Sequence, residues 1–424
     1  YIRMDGGLDD LDLWYDKYEY TDEGRRGWNN TTQNSVVLYL QDSWRVNANL
    51  TLNLGLRFES LQDKANTGEA ILDFGWGDRI QPRLGFAYDL NGSNIHGSIG
   101  RYHDTIGNYT TRSFADIPDY VRDRYFWDAD TYEWDFYRTY VTSPALTSRD
   151  DLKSPYMDEI TLGYMGRLSQ TMAWGVDLIW REWHDGIEDD DGRDFPEYGN
   201  AANDANYHFY NIDKQKEYQG IEFTLRKNLA EDNFQFLASF TYNKTEGVWG
   251  DASESTGHAD NPYNYYNWYG KRNNFPFMVK FNGSYFAPWG FIFGANFAYY
   301  AGPSYNRYGT VETSAEGEWG GDTFSNYYPY EAGSANLPDR WSLDFRIEKE
   351  FKLSSRLVLG FYLDIFNTFN NQEAVDIDGY IGRLTLVDDE PGAAFTVTSP
   401  SSTYLQYDQW QAPRSYFIGV KLDF

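Results

Sequence analysis

Residues Leu50–Glu59 read LTLNLGLRFE. Leu50, Leu52, Leu54, Leu56 and Phe58 fall on one parity, and Thr51, Asn53, Gly55, Arg57 and Glu59 on the other. Successive side chains of an extended strand point to opposite sides, so this segment predicts a strand with one oily and one wet face. The pattern recurs along the chain. Leu84, Phe86, Tyr88 and Leu90 form such a face, as do Trp174, Val176, Leu178 and Trp180. Phe275, Phe277, Val279 and Phe281 form another, and Leu357, Leu359, Phe361 and Leu363 oppose Val358, Gly360, Tyr362 and Asp364.

Working outward from Leu50 predicts strands over Ser35–Trp44, Leu50–Gln62, Pro82–Leu90, Asn94–His103, Tyr156–Leu168, Met172–Trp183 and Glu217–Asn228. Phe234–Glu246, Phe275–Phe286, Gly290–Tyr300, Arg340–Lys352, Arg356–Phe369 and Arg414–Phe424 complete the set. Many are near the ~9–11 residues that a tilted strand needs to cross a bilayer. Their connections alternate between short (Arg45–Asn49, Asn91–Ser93, Ser169–Thr171, Leu229–Asn233, Ala287–Trp289, Leu353–Ser355) and long (Asp63–Gln81, Asp104–Pro155, His184–Lys216, Gly247–Asn274, Ala301–Asp339, Asn370–Pro413). Short periplasmic turns and long outer loops mark an outer-membrane barrel. A soluble all-β sandwich or propeller also shows period two, but not this strict alternation. The fold class is therefore all-β: an antiparallel transmembrane β-barrel, with about thirteen strands visible.

Composition agrees. Aromatics make up 19% of the 424 residues, suited to lipid-facing positions and interfacial girdles. Mean hydropathy is -0.68, and no apolar run reaches the ~18 residues of a membrane-spanning helix. There is no cysteine, which removes disulfides, thiolate metal sites and cysteine nucleophiles. The net charge of -28 argues against nucleic-acid binding.

The stretches VVLYLQDSWRV, LTLNLGLRFES, QPRLGFAYDLNG, SPYMDEITLGYMGRLS, EYQGIEFTLRKNL and FYLDIFNTFNNQ resemble TonB-dependent outer-membrane receptors. They are most similar to the OmpA-related group, which carries a carboxypeptidase-regulatory-like domain at its N-terminus. The resemblance implies a plugged barrel of ~22 strands, of which residues 35–424 would be the C-terminal part. It implies a surface receptor that imports a scarce nutrient with energy supplied through TonB, and it implies no enzyme activity. Implied partners are outer-membrane lipid, the TonB complex (through an upstream region), the barrel assembly machinery and an unidentified extracellular substrate. The family's C-terminal assembly signal is matched by Gly419, Leu422 and Phe424; Phe417 stands where that signal has a polar residue. A passive porin and a structural or adhesive surface barrel are the alternative functions.

Candidate binding residues lie in the long connections. Asn261–Gly270 reads NPYNYYNWYG; Tyr263, Tyr265, Tyr266, Trp268 and Tyr269, interleaved with amides, suit stacking on a sugar or peptide. Their alternative is an aromatic girdle. Glu188, Asp189, Asp190, Asp191 and Asp194, with Gly192 among them, cluster hard oxygen ligands that suit calcium. The EF-hand spacing is not met, and a solvated acidic loop is the alternative. The five histidines are scattered, and none forms an HExxH-like pair.

Because Phe424 is expected on the periplasmic side, thirteen strands place the start of Ser35–Trp44 outside. The expectation is at least one further upstream strand, with residues 1–34 an outer loop in which Asp12–Tyr20 is a strand remnant. The visible sheet is then expected to be partly open, or closed only under strain.

Overall fold

The computed structural model describes residues 2–5, 12–20, 31–104, 106, 110–111, 114, 120–128, 133–142, 147–190, 207–248, 269–272, 275–312, 323–354, 356–387 and 394–424. One antiparallel wall dominates. Its strands are β1 (Thr32–Arg45), β2 (Leu50–Lys64), β3 (Ile80–Asp89), β4 (Asn94–His103), β5 (Tyr156–Arg167), β6 (Met172–Asp190) and β7 (Tyr207–Lys227). They continue as β8 (Phe234–Val248), β9 (Phe277–Ala287), β10 (Phe291–Tyr300), β11 (Arg340–Lys352), β12 (Val358–Phe366) and β13 (Ser415–Asp423). Each pairs with the next in chain order, from β1 to β13, and those two end strands do not pair with each other. Among the described residues the pairing path is therefore open at both edges.

The register turns the alternation of single strands into a two-faced wall. Leu50 sits opposite Tyr88, and the row continues through Ile95, Tyr164, Val176, Phe223, Phe240, Val279, Tyr299 and Trp341, all aliphatic or aromatic and none charged. Leu50 is the first residue of β2, whereas Tyr299 is the ninth of β10, eight strands away. Eight residues of climb, roughly 27 Å, over eight strand spacings, roughly 38 Å, gives a strand tilt of roughly 35°. That stagger is what curling such a sheet into a barrel requires. Leu52, Leu54, Val176, Leu178, Phe277, Val279, Phe281 and Leu359 all lie on this apolar face. Most of their neighbours in the chain, on the other face, are Thr, Asn, Gly or charged, with Ile179, Met278 and Val358 as apolar exceptions. In a membrane the apolar face contacts lipid and the polar one lines the lumen.

Charged side chains mark the borders of the apolar face. On the outer side the row Arg101–Asp158–Glu182–Glu217–Glu246 ends it, with Arg101 forked onto Asp158 at 2.8 Å through two nitrogens. Near the periplasmic turns, Lys349 lies over Phe291 and turns its ammonium back to donate to the Trp289 carbonyl, carrying its charge out of the apolar zone. Asp42 interrupts the face in the edge strand β1. The turns match the sequence. Asn91 and Gly92, with φ of 58° and 103°, form the two-residue hairpin loop that the twist of paired strands favours, closed by Leu90 N–H donating to the Ser93 carbonyl at 2.8 Å.

The long connections differ from the sequence reading, because many of them are strands. β6 and β7 run on past Trp183 and start before Glu217, so much of the expected loop His184–Lys216 is a two-stranded arm. Ala70–Phe74 pairs antiparallel with the outer end of β2, and Thr147–Arg149 lies parallel to β7. Asp12–Tyr20 is a strand, but it pairs with Ile2–Asp5 and Tyr120–Asp128 in a separate four-stranded sheet, not with the wall. Such pairing across connections far apart in sequence leaves no local signature.

Candidate functional site

Two folded assemblies stand on the outer ends of the wall strands. The first covers β2–β7. Leu61, Leu72, Phe74, Ile187 and Phe209 form its core, with Ile106, Phe114 and Leu152 packed against it. Beside it Arg79, 1% exposed, ties several segments together. Its guanidinium donates to Ser154 Oγ at 2.8 Å and to the Asp104 carbonyl at 2.9 Å, and lies 3.5 Å from Glu59 Oε2. Both ends of the connection 104–155 are thereby held against β2. Burial pulls the Arg79 pKa below the ordinary arginine value, and Glu59 opposes that pull. Glu59 also accepts from Ser35 Oγ at 2.9 Å and Arg57 at 3.3 Å, so its charge is compensated.

The second assembly, the crown over β10–β13, merges the connections 301–339 and 367–413. Tyr308–Glu312 pairs with Thr323–Tyr327 and runs parallel to Tyr380–Leu386, which pairs with Phe395–Pro400. Val311, Tyr327, Ile381, Leu384 and Leu386 form a core of its own. Beside it Ala374–Ile377 pairs with Tyr407–Trp410, a strand exposed along its whole length.

On the lumen face several charges pair within the wall. Arg346 donates to both Asp364 oxygens, at 2.5 and 2.7 Å. Arg181 donates to Glu159 at 2.6 Å, and His96 Nε2 lies 2.9 Å from Asp177. At the C-terminal edge the Tyr362 ring lies over Gly419, where any Cβ would collide with it, and continues into Phe417 at 6.0 Å between centroids. Arg346 covers the Tyr362 ring from 4.6 Å. Phe417, which departs from the assembly-signal pattern, thus has a packing partner on the lumen face.

The sequence-predicted site residues are only partly placed. Tyr263, Tyr265, Tyr266 and Trp268 lie outside the described residues, and Tyr269 opens the short strand Tyr269–Lys271 paired to the outer end of β8. Glu188 is 3% exposed. It pairs along the ladder with Tyr210, as Asp189 does with Phe209 and Asp190 with His208. These three therefore belong to a strand, the arm of β6, and not to a loop. Asp191 and Asp194 lie outside the described residues. Among the described residues no group of three or more His, Cys, Asp or Glu is arranged to hold a metal ion. Gly419 and Leu422 lie in β13, and Phe424 follows it. The Arg79 cluster and the exposed strand Tyr407–Trp410 escaped the sequence reading. A buried arginine in a turn has no distinguishing neighbour pattern, and YDQW is too short to show period two.

Comparison with known proteins matches this geometry. The family described as "Outer membrane beta barrel domain" matches residues 15–75. No curated protein matches the chain. Among solved structures, the ferripyoverdine receptor of the outer membrane of Pseudomonas aeruginosa is 12% identical with a TM-score of 0.53, covering 100% of this chain and 47% of that one. The outer membrane transporter YddB from Escherichia coli is 16% identical with a TM-score of 0.55, covering 97% and 50%. The siderophore receptor PiuA from Acinetobacter baumannii is 12% identical with a TM-score of 0.53, covering 93% and 43%. This chain therefore spans about half the length of the solved structures it matches, and those structures are receptors and a transporter, not enzymes. The chain has the antiparallel wall fold of these outer-membrane receptors and transporter, and residues 15–75 match an outer membrane beta barrel domain.

Proposed function

We propose that this chain forms the C-terminal wall and crown of a surface receptor that captures a scarce nutrient and imports it with energy delivered through TonB. The observation that carries this reading is the combination of a wall with one apolar and one polar face and folded assemblies over its outer end. A receptor needs a rigid surface for capture, and loops on a scaffold commonly supply it. The similarity to solved siderophore receptors and an outer-membrane transporter supports the same reading. In this proposal the plug, the TonB-contacting segment and a carboxypeptidase-regulatory-like domain belong to upstream sequence. Asn261–Gly270 contributes ligand contacts, and Arg414–Phe424 is read by the barrel assembly machinery. The full-length protein is expected to bind the soluble periplasmic domain of TonB and to show no steady conductance in planar bilayers. A steady open conductance without TonB binding would replace this reading with that of a porin.

A further inference from the structure

The topology sorts the chain's charge by side. The outer connections 1–31, 65–79, 104–155, 184–215, 249–276, 301–339 and 367–413 together carry a formal charge of -29, against +1 for the wall strands and periplasmic turns. On the lumen face Arg346 and Arg181 are each matched by a carboxylate, which leaves the outer connections as the dominant field. An anion approaching from outside meets repulsion, whereas a cation is drawn in.

Within this field the hairpin Ala374–Ile377/Tyr407–Trp410 combines three features. Tyr407 and Trp410 are 46% and 55% exposed. Glu373, Asp376 and Asp408 are exposed on and beside the same two strands, and no cation among the described residues pairs with them. The outer edge of Tyr407–Trp410 has no strand partner among the described residues, leaving backbone groups for an extended chain. Carboxylates beside exposed rings suit ammonium and guanidinium groups, which pair with the former and lie over the faces of the latter. The crown already holds one such contact, with Arg307 lying 3.8 Å over the Tyr330 ring.

We propose that the receptor's ligand is a basic peptide segment, steered by the acidic outer surface and held along the Tyr407–Trp410 strand by Trp410, Asp376 and Asp408. The inference rests on the receptor reading, but its test does not use transport. Purified full-length protein is titrated with a fluorescent lysine- and arginine-rich nonapeptide and, separately, with a glutamate-rich peptide of the same length. The basic peptide is expected to bind and to weaken steeply with added salt, and the acidic peptide not to bind. Trp410→Ala is expected to weaken the basic peptide about tenfold, and so is the double variant Asp376→Asn/Asp408→Asn. The same change of charge on another outer connection, Asp150→Asn/Asp151→Asn, is expected to change affinity less than about twofold. Equal binding of both peptides overturns the proposal, as does equal weakening by the two double variants, which would leave only a diffuse field. Peptide binding by a protein that conducts steadily would refute import while leaving this inference standing.

Discussion

The wall and the crown above its C-terminal half are both built of antiparallel strands, yet different physics holds each. A wall strand is long, buries neither face in protein and obtains its stability from lipid on one side and backbone pairing on both edges. Leu178 and Ile221, paired across β6 and β7, are 46% and 44% exposed, a pattern that only a non-aqueous solvent makes favourable. The crown strands run from two to seven residues and enclose a small core in which Val311, Tyr327 and Leu384 are each 0% exposed. The wall is thus an inside-out surface, and the crown an ordinary water-soluble fold mounted on it. Charge divides the same way, with nearly all of the excess acid in the outer connections.

This contrast can be broken from either side. Leu384→Ala opens the crown core and is expected to cost about 2–5 kcal/mol locally. Limited proteolysis should then cut within residues 301–413 while the wall remains heat-modifiable on gels; simultaneous loss of the wall would show that the two units fold as one. Leu178→Arg puts a charge on the lipid face and is expected to cost about 2–4 kcal/mol if it lies at mid-membrane. Arg at the neighbouring Ile179, on the lumen face, should cost far less. Equal costs in a detergent or lipid unfolding titration would reverse the assignment of faces. Gly419→Ala forces the Tyr362 ring away from the terminal strand and is expected to cost about 1–3 kcal/mol by overpacking. The double variant with Tyr362→Ala should recover the folded fraction; a double variant as poor as the single one would mean that Gly419 serves the assembly machinery alone. The smallest effect is expected at Lys421, whose partner Asp423 lies 2.8 Å away on the same exposed strand. Lys421→Gln should leave the unfolding temperature unchanged, and a clear drop would mean that this lumen charge is tied to something beyond the wall.

The sites were less legible than the fold. Period two is imposed residue by residue wherever a strand separates lipid from water, so thirteen strands could be located from alternation in segments such as Leu50–Glu59, including the partly open sheet they form. No such rule governs Arg79, which acts through Ser154 and Glu59, 75 residues ahead of it and 20 behind it in the chain. The acidic run at Glu188 looked like a loop because charge density resembles solvation, yet Ile187 beside it packs into a core with Leu61 and Phe74.

By itself, then, the order of residues determined the wall: its strand positions, which side of each meets lipid, and which connections are long. These follow from local patterns because the bilayer applies one solvent boundary to every strand. Tertiary structure alone decided that Tyr308–Glu312 would lie beside Tyr380–Leu386 to enclose a crown core, that Asp12–Tyr20 would join Tyr120–Asp128 and not the wall, and that Gly419 would receive the ring of Tyr362. Each of these pairs segments distant in sequence, and the packing energy that selects them exists only once both surfaces have formed.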